Sequence, residues 1–87
     1  MANTTWRIEQ VRYGNGLSDF YVMRKTENDW KYVEENPYNV WGHILKDKRK
    51  AGTKFSNKAD AEHFIRVMKS IIRSKTVVEV KIYDVVE

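Results

Sequence analysis

The chain contains no cysteine, and that absence removes disulfide bridges, zinc ribbons, iron–sulfur clusters and thiol nucleophiles together, while fitting a reducing cytoplasm. It has one proline, Pro37, and four glycines. These are too few for a linker or a low-complexity tract, so a single domain over residues 1–87 is expected. No apolar run approaches the roughly 20 residues that a membrane-spanning helix requires. The opening MANTTWRIEQ has neither the basic stretch nor the apolar stretch of a secretory signal. A cytoplasmic protein with no membrane partner is the expectation. The only histidines are His43 and His63, so acid–base chemistry near neutral pH has little material, and neither a metal site nor a cofactor is expected. Gly14-Asn15-Gly16 is too short for a dinucleotide-binding loop and leads into a strand pattern rather than a helix, which makes it a turn.

What the chain does hold is enough apolar surface to fold. Of its 87 residues 41% are hydrophobic and 13% aromatic, far from the composition of disordered segments. The net charge of +4 conceals a strong asymmetry, because residues 46–75 carry ten basic and three acidic side chains, while the rest of the chain totals −3. Such a field concentrates polyanions, so RNA or another polyanion is the candidate partner.

Hydrophobic periodicity orders the elements. Residues 4–13 read as a strand with Trp6 and Ile8 on one face; Val11 and Tyr13 fall on the other parity, which a β-bulge near Glu9 or Gln10 reconciles. After the glycine turn, residues 19–25 form a second strand with apolar side chains on both faces, Phe20 and Val22 on one and Tyr21 and Met23 on the other. Residues 26–29 make a turn and residues 30–33 a third strand, which the polar run ending at Pro37 interrupts. Residues 38–46 have no clear period and read as a short strand, an irregular crossover or a helical turn. A basic loop, residues 47–53, leads to a helix start capped by Ser56 or Asn57. Ala61, Phe64, Ile65, Met68, Ile71 and Ile72 then follow the helical stripe of one buried face. Residues 76–86 alternate as a final strand. The expected architecture is α+β: an antiparallel sheet of four to five strands in the order β-β-β-(β)-α-β, with one long helix on one face. Its core should set Phe64, Ile65, Met68 and Ile72 against Trp6, Ile8, Phe20, Val22, Val78, Val80 and Ile82.

Three features bear on function. Lys58, Glu62, Arg66, Lys69 and Arg73 recur at helical spacing and share one side. A solvated face with Glu62 supporting Arg66, worth about 0.3 kcal/mol, accounts for that stripe without function. Joined to Lys46, Lys48, Arg49, Lys50 and Lys54, however, it would make a phosphate-tracking surface in which arginines orient and lysines attract. The second feature is aromatic: most rings should fill the core, but Tyr21 and Tyr83 on the uncovered sheet face could stack on bases or pair with a protein partner or a second copy. The third is the histidine pair, His43 and His63, which with lysines could cleave RNA in principle, although neither sits in a recognisable constellation. The expectation is a non-enzymatic binding protein; the alternative is a protein-only interaction module or homodimer using the aromatic face, with a ribonuclease behind both.

A short, cysteine-free chain rich in lysine and aromatics resembles the small accessory proteins of T4-like phages. That resemblance implies a counter-defence or host-takeover role in the host cytoplasm: stoichiometric, antitoxin-like inhibition of a host nuclease, RNase toxin or defence complex, in some cases together with RNA. It assigns no site residue. The element order also resembles the arm-site binding domains of phage integrases, in which a three-stranded sheet backed by a helix enters the DNA major groove, although here the basic residues cluster on the helix and its preceding loop.

Overall fold

The computed structural model describes residues 5–75, 77 and 79–86. It is the expected α+β arrangement, a five-stranded antiparallel sheet carrying one long helix. β1 (Trp6–Arg12) and β2 (Ser18–Lys25) form the first hairpin, in unbroken register from Trp6 opposite Arg24 to Arg12 opposite Ser18. The expected bulge is therefore absent. Val11 instead stays in phase and faces the side of the sheet that also carries Tyr21 and Met23, while Tyr13 lies beyond the strand with its hydroxyl donating to Asp19 Oδ2 at 2.7 Å.

β3 (Trp30–Glu35) pairs with Met23–Lys25 only. Beyond that point β3 diverges, and the gap is filled by β5 (Lys54–Phe55), which pairs with Phe20 and Tyr21. Thr53 bridges to the diverging strand: its N–H donates to the Val33 carbonyl at 3.0 Å, and its hydroxyl accepts from the Glu35 N–H at 2.7 Å. The segment of unclear period resolves into a turn over residues 36–42 followed by β4 (His43–Lys46), antiparallel to β3. Within that turn the Asn36 and Asn39 side-chain oxygens accept from the N–H groups of Tyr38 and Trp41, the local bonding that makes asparagine a turn residue.

α1 (Lys58–Lys75) begins at a reciprocal cap. Asn57 Oδ1 accepts from the Asp60 N–H at 2.8 Å, satisfying a helix-end donor that would otherwise lack a partner, and Asn57 Nδ2 donates to the Asp60 carboxylate at 2.9 Å. Its buried face, Ala61, Phe64 and Met68, packs on Trp6, Val22 and Val33, with Ile8, Phe20, Phe55, Ile65, Ile71 and Ile72 half-buried around them. Each large apolar side chain buried this way contributes about 1.5–3 kcal/mol.

Among the described residues after α1 the expected final strand does not form. Residues 77 and 79–86 lie outside any strand, and Val80 and Ile82, expected in the core, are exposed, as is Tyr83; Val78 lies outside the described residues. Both edges of β2 are occupied, one by β1 and the other by β3 with β5, so no further strand can pair with it. Val33 and Phe55 supply the core contacts instead.

Candidate nucleic-acid interface

Cross-strand partners share a face of the sheet, and this rule sorts the basic residues. Trp6, Ile8, Phe20 and Val22 face α1. The opposite face carries Tyr21, Met23 and Tyr32, with Lys54 opposite Tyr21 and Lys46 opposite Tyr32. Arg7, opposite Met23, and Lys25, opposite Trp30, belong to it as well.

A single 3-10 turn, Arg49–Ala51, folds the basic loop onto this second face. Arg49 Nε donates to Glu9 Oε1 at 2.7 Å, and the Tyr32 hydroxyl reaches the same carboxylate at 3.0 and 3.1 Å. The Arg49 guanidinium also lies 5.9 Å from the centre of the Tyr21 ring. Gly52 permits the approach, because a Cβ at that position would stand 3.1 Å from Tyr32 Cβ. Tyr21, expected as an exposed stacking ring, is therefore only 8% exposed and sits edge-on to Tyr32 with ring centres 6.3 Å apart. Tyr83 is exposed but lies in the C-terminal segment, outside any strand.

The expected continuous surface is thus divided. Lys46, Arg49 and Lys54 lie on the face opposite α1, with Lys48 and Lys50 exposed on the turn that covers it. Lys58, Arg66, Lys69 and Arg73 line the solvent side of the helix, on the other side of the sheet. The loop adjoins the helix in sequence but not in facing, because β5 intervenes. Glu62 lies 3.6 Å from Lys58, the i,i+4 partner on the N-terminal side, rather than pairing with Arg66. Among the described residues, Lys46, Lys48, Lys50, Lys54, Arg66, Lys69 and Arg73 form no ion pair.

Sequence reasoning missed Arg7, Lys25 and Trp30 in this surface. The Arg7 guanidinium lies 4.1 Å over the Trp30 ring, within cation–π distance. Strand parity with Tyr21 carried the signal for Arg7, once β1 is read without a bulge. Lys31 is neutralised by Asp47, which raises the lysine pKa and lowers that of the carboxylate through their hydrogen bond.

The histidines are far apart in character. His43 is 4% exposed. Its Nδ1–H donates to the Trp41 carbonyl at 2.8 Å, its Nε2 accepts from Arg24 at 3.1 Å, and its ring meets Trp6 edge-on with centres 5.6 Å apart. Burial pushes its pKa below the ordinary 6.5, and Arg24 adds to that shift. The protonated ring is thus better accommodated in the unfolded chain, so folding stability is complete above the unfolded pKa and declines as pH falls through about 6.5. Thermal unfolding followed from about pH 7.5 to 5 should show that decline in the native chain, and His43→Gln should flatten it; a slope that survives the substitution assigns it to another group. His63 is exposed and lines a cleft of about 390 Å³ with Glu35, Phe55, Asp60, Phe64, Val67 and Met68. A neighbouring groove of about 630 Å³ runs between α1 and the 36–42 turn, lined by Tyr38, Val40, Gly42, Val67, Ile71 and Lys75 among others. Among the described residues, no cluster of histidine and carboxylate side chains has metal-binding geometry, and no helix is long and apolar enough to cross a membrane.

Comparison with protein-family models, with curated proteins and with solved structures finds no match to this chain.

Proposed function

We propose that this domain is a non-enzymatic binder of nucleic-acid phosphates that acts in the cytoplasm, with RNA the foremost candidate because the resemblance to phage accessory proteins favours it. The observation that carries this reading is the cluster of unpaired cations on and around the second sheet face: Lys46, Lys48, Lys50 and Lys54, beside Arg7 stacked on Trp30. The Arg49–Glu9–Tyr32 contacts hold the loop in place before any ligand arrives, so its ordering entropy is not charged to binding. Lysines displayed on a fixed turn attract a phosphate backbone without reading its sequence. The helix stripe, Lys58, Arg66, Lys69 and Arg73, adds a weaker, separate positive surface.

The test is a titration of labelled single-stranded RNA and duplex DNA across a salt series. Phosphate contacts should make affinity fall steeply with salt. The triple variant Lys48→Glu, Lys50→Glu, Lys54→Glu should weaken binding to all sequences and reduce the salt slope by about three, one for each lost contact. Arg66→Glu, Lys69→Glu, Arg73→Glu should weaken it less. Retained affinity in the first variant, or no binding of either nucleic acid at low salt, sinks the reading. The second reading is a protein-only module that docks a host nuclease or toxin in the apolar groove beside α1, where Tyr38 is 98% exposed. Its association should change little with salt.

A further inference from the structure

Among the described residues of the C-terminal segment, residues 77 and 79–86, a strand-like sequence has no strand to pair with. Val80 and Ile82 alternate with Glu79, Lys81 and Tyr83, and the apolar side chains from Val77 to Val86 that the structure describes are between 73% and 95% exposed. The radius of gyration, 17.2 Å, exceeds the roughly 12 Å of a compact chain of this length, so the segment stands clear of the body. An exposed, alternating, β-branched stretch of this kind seeks a sheet edge.

β1 offers that edge. Backbone bonds from the Lys25 N–H to the Thr5 carbonyl and from the Tyr13 N–H to the Leu17 carbonyl show that the odd-numbered residues of this arm bond inward to β2. In an antiparallel ladder the alternate residues point the other way, so Trp6, Ile8, Gln10 and Arg12 present their N–H and C=O groups outward along a seven-residue open edge. β4, the other outer strand, is four residues long. The α1-facing side chain Ile8 and the helix residue Ile65 are only half-buried, and an added strand with Val80 and Ile82 on that face would cover them.

The same copy does not supply the strand. Reversing direction after α1 calls for glycine, asparagine or proline at the helix end. The sequence there, Ser74-Lys75-Thr76-Val77-Val78-Glu79-Val80, has none, and its β-branched residues favour straight continuation. Charge also suits an exchange between copies, since residues 76–87 carry one basic and three acidic side chains while β1 carries Arg7 and Arg12 against Glu9. We infer that two copies of this chain pair reciprocally, each laying residues 79–86 along the open edge of the other's β1. The arrangement is a closed twofold exchange, and it is independent of whether the domain binds nucleic acid.

Sedimentation equilibrium on the full chain in the micromolar range, with amide hydrogen exchange on the same samples, tests this. The expected result is a dimer with slowed exchange at Val80 and Ile82. Ile82→Asp should halve the mass. Gln10→Pro, which removes an outward N–H and the exposed side-chain bond to Ser18 but no backbone bond to β2, should do the same while leaving the helical circular dichroism unchanged. If Ile82→Asp proves poorly folded, the proline variant decides alone. A monomer with protected Val80 and Ile82 amides would place the segment on its own sheet and overturn the inference, and a monomer with unprotected amides would overturn it equally. A dimer that survives both substitutions refutes the exchanged strand.

Discussion

Phe64→Ala is expected to destabilise the domain by about 3–5 kcal/mol, a large part of the roughly 5–15 kcal/mol that holds a domain together. Phe64 is 5% exposed at the centre of the helix face and meets the Phe55 ring with centres 5.3 Å apart and planes inclined by 45°. Its loss reaches further than a cavity. β5 consists of two residues, so few backbone bonds hold it, and Phe55 is the side chain that anchors it beneath the helix. Releasing Phe55 loosens the chain on both sides of it, including the loop that displays Lys48 and Lys50. Urea unfolding monitored by tryptophan fluorescence measures the stability change, and the salt-series titration measures the second effect. A loss below about 1 kcal/mol would mean that the site collapses onto the gap or that the packing is looser than described.

Gly42→Val should cost about 2–5 kcal/mol, from two sources that can be separated. The backbone at Gly42 has φ +76°, where a side-chain-bearing residue is strained by about 1–2 kcal/mol. A Cβ there would also stand 3.1 Å from Ile71 Cδ1 and 3.3 Å from the Met68 thioether, and forcing extra atoms into packed surroundings costs about 1–3 kcal/mol. Asparagine tolerates positive φ better than valine, so Gly42→Asn should lose less, and the difference between the two variants reports the backbone share. Equal losses would show that crowding against the helix dominates. Either result bears on the fold, because Gly42 brings the 36–42 turn into contact with the C-terminal half of α1.

The elements that were legible in the sequence are those governed by short separations. The helix could be read from a cap at Ser56 or Asn57 through the stripe that ends at Ile72, because cap and stripe depend on residues three and four apart, and the hairpin at Gly14-Asn15-Gly16 because a turn is a local event. The faces of β2 were legible too, with Phe20 and Val22 correctly turned toward the helix. Residues 38–46 resisted because their apolar residues serve two structures, a turn that rests on the helix and a four-residue strand. The bulge was an error of a specific kind: it presumed that only one face of β1 could be apolar, whereas Val11 stays in register opposite Asp19 on the face where Arg49 of the loop meets Glu9.

The sequence by itself determined that the chain is α+β with one helix, that no cysteine chemistry is available, and that the positive charge resides in residues 46–75. Tertiary structure alone decided how that charge is displayed. The two-residue strand at Lys54 has no periodicity to announce it; it exists because β3 diverges from β2 and leaves backbone groups that need partners. Its insertion turns the basic loop to the face away from the helix, buries Tyr21 under Arg49, and separates two sets of cations that adjoin in the chain. The final segment shows the same limit from the other side. Its alternation marks it as a strand, but pairing depends on which edges remain open, and the edges of β2 are both taken, by β1 on one side and by β3 with β5 on the other.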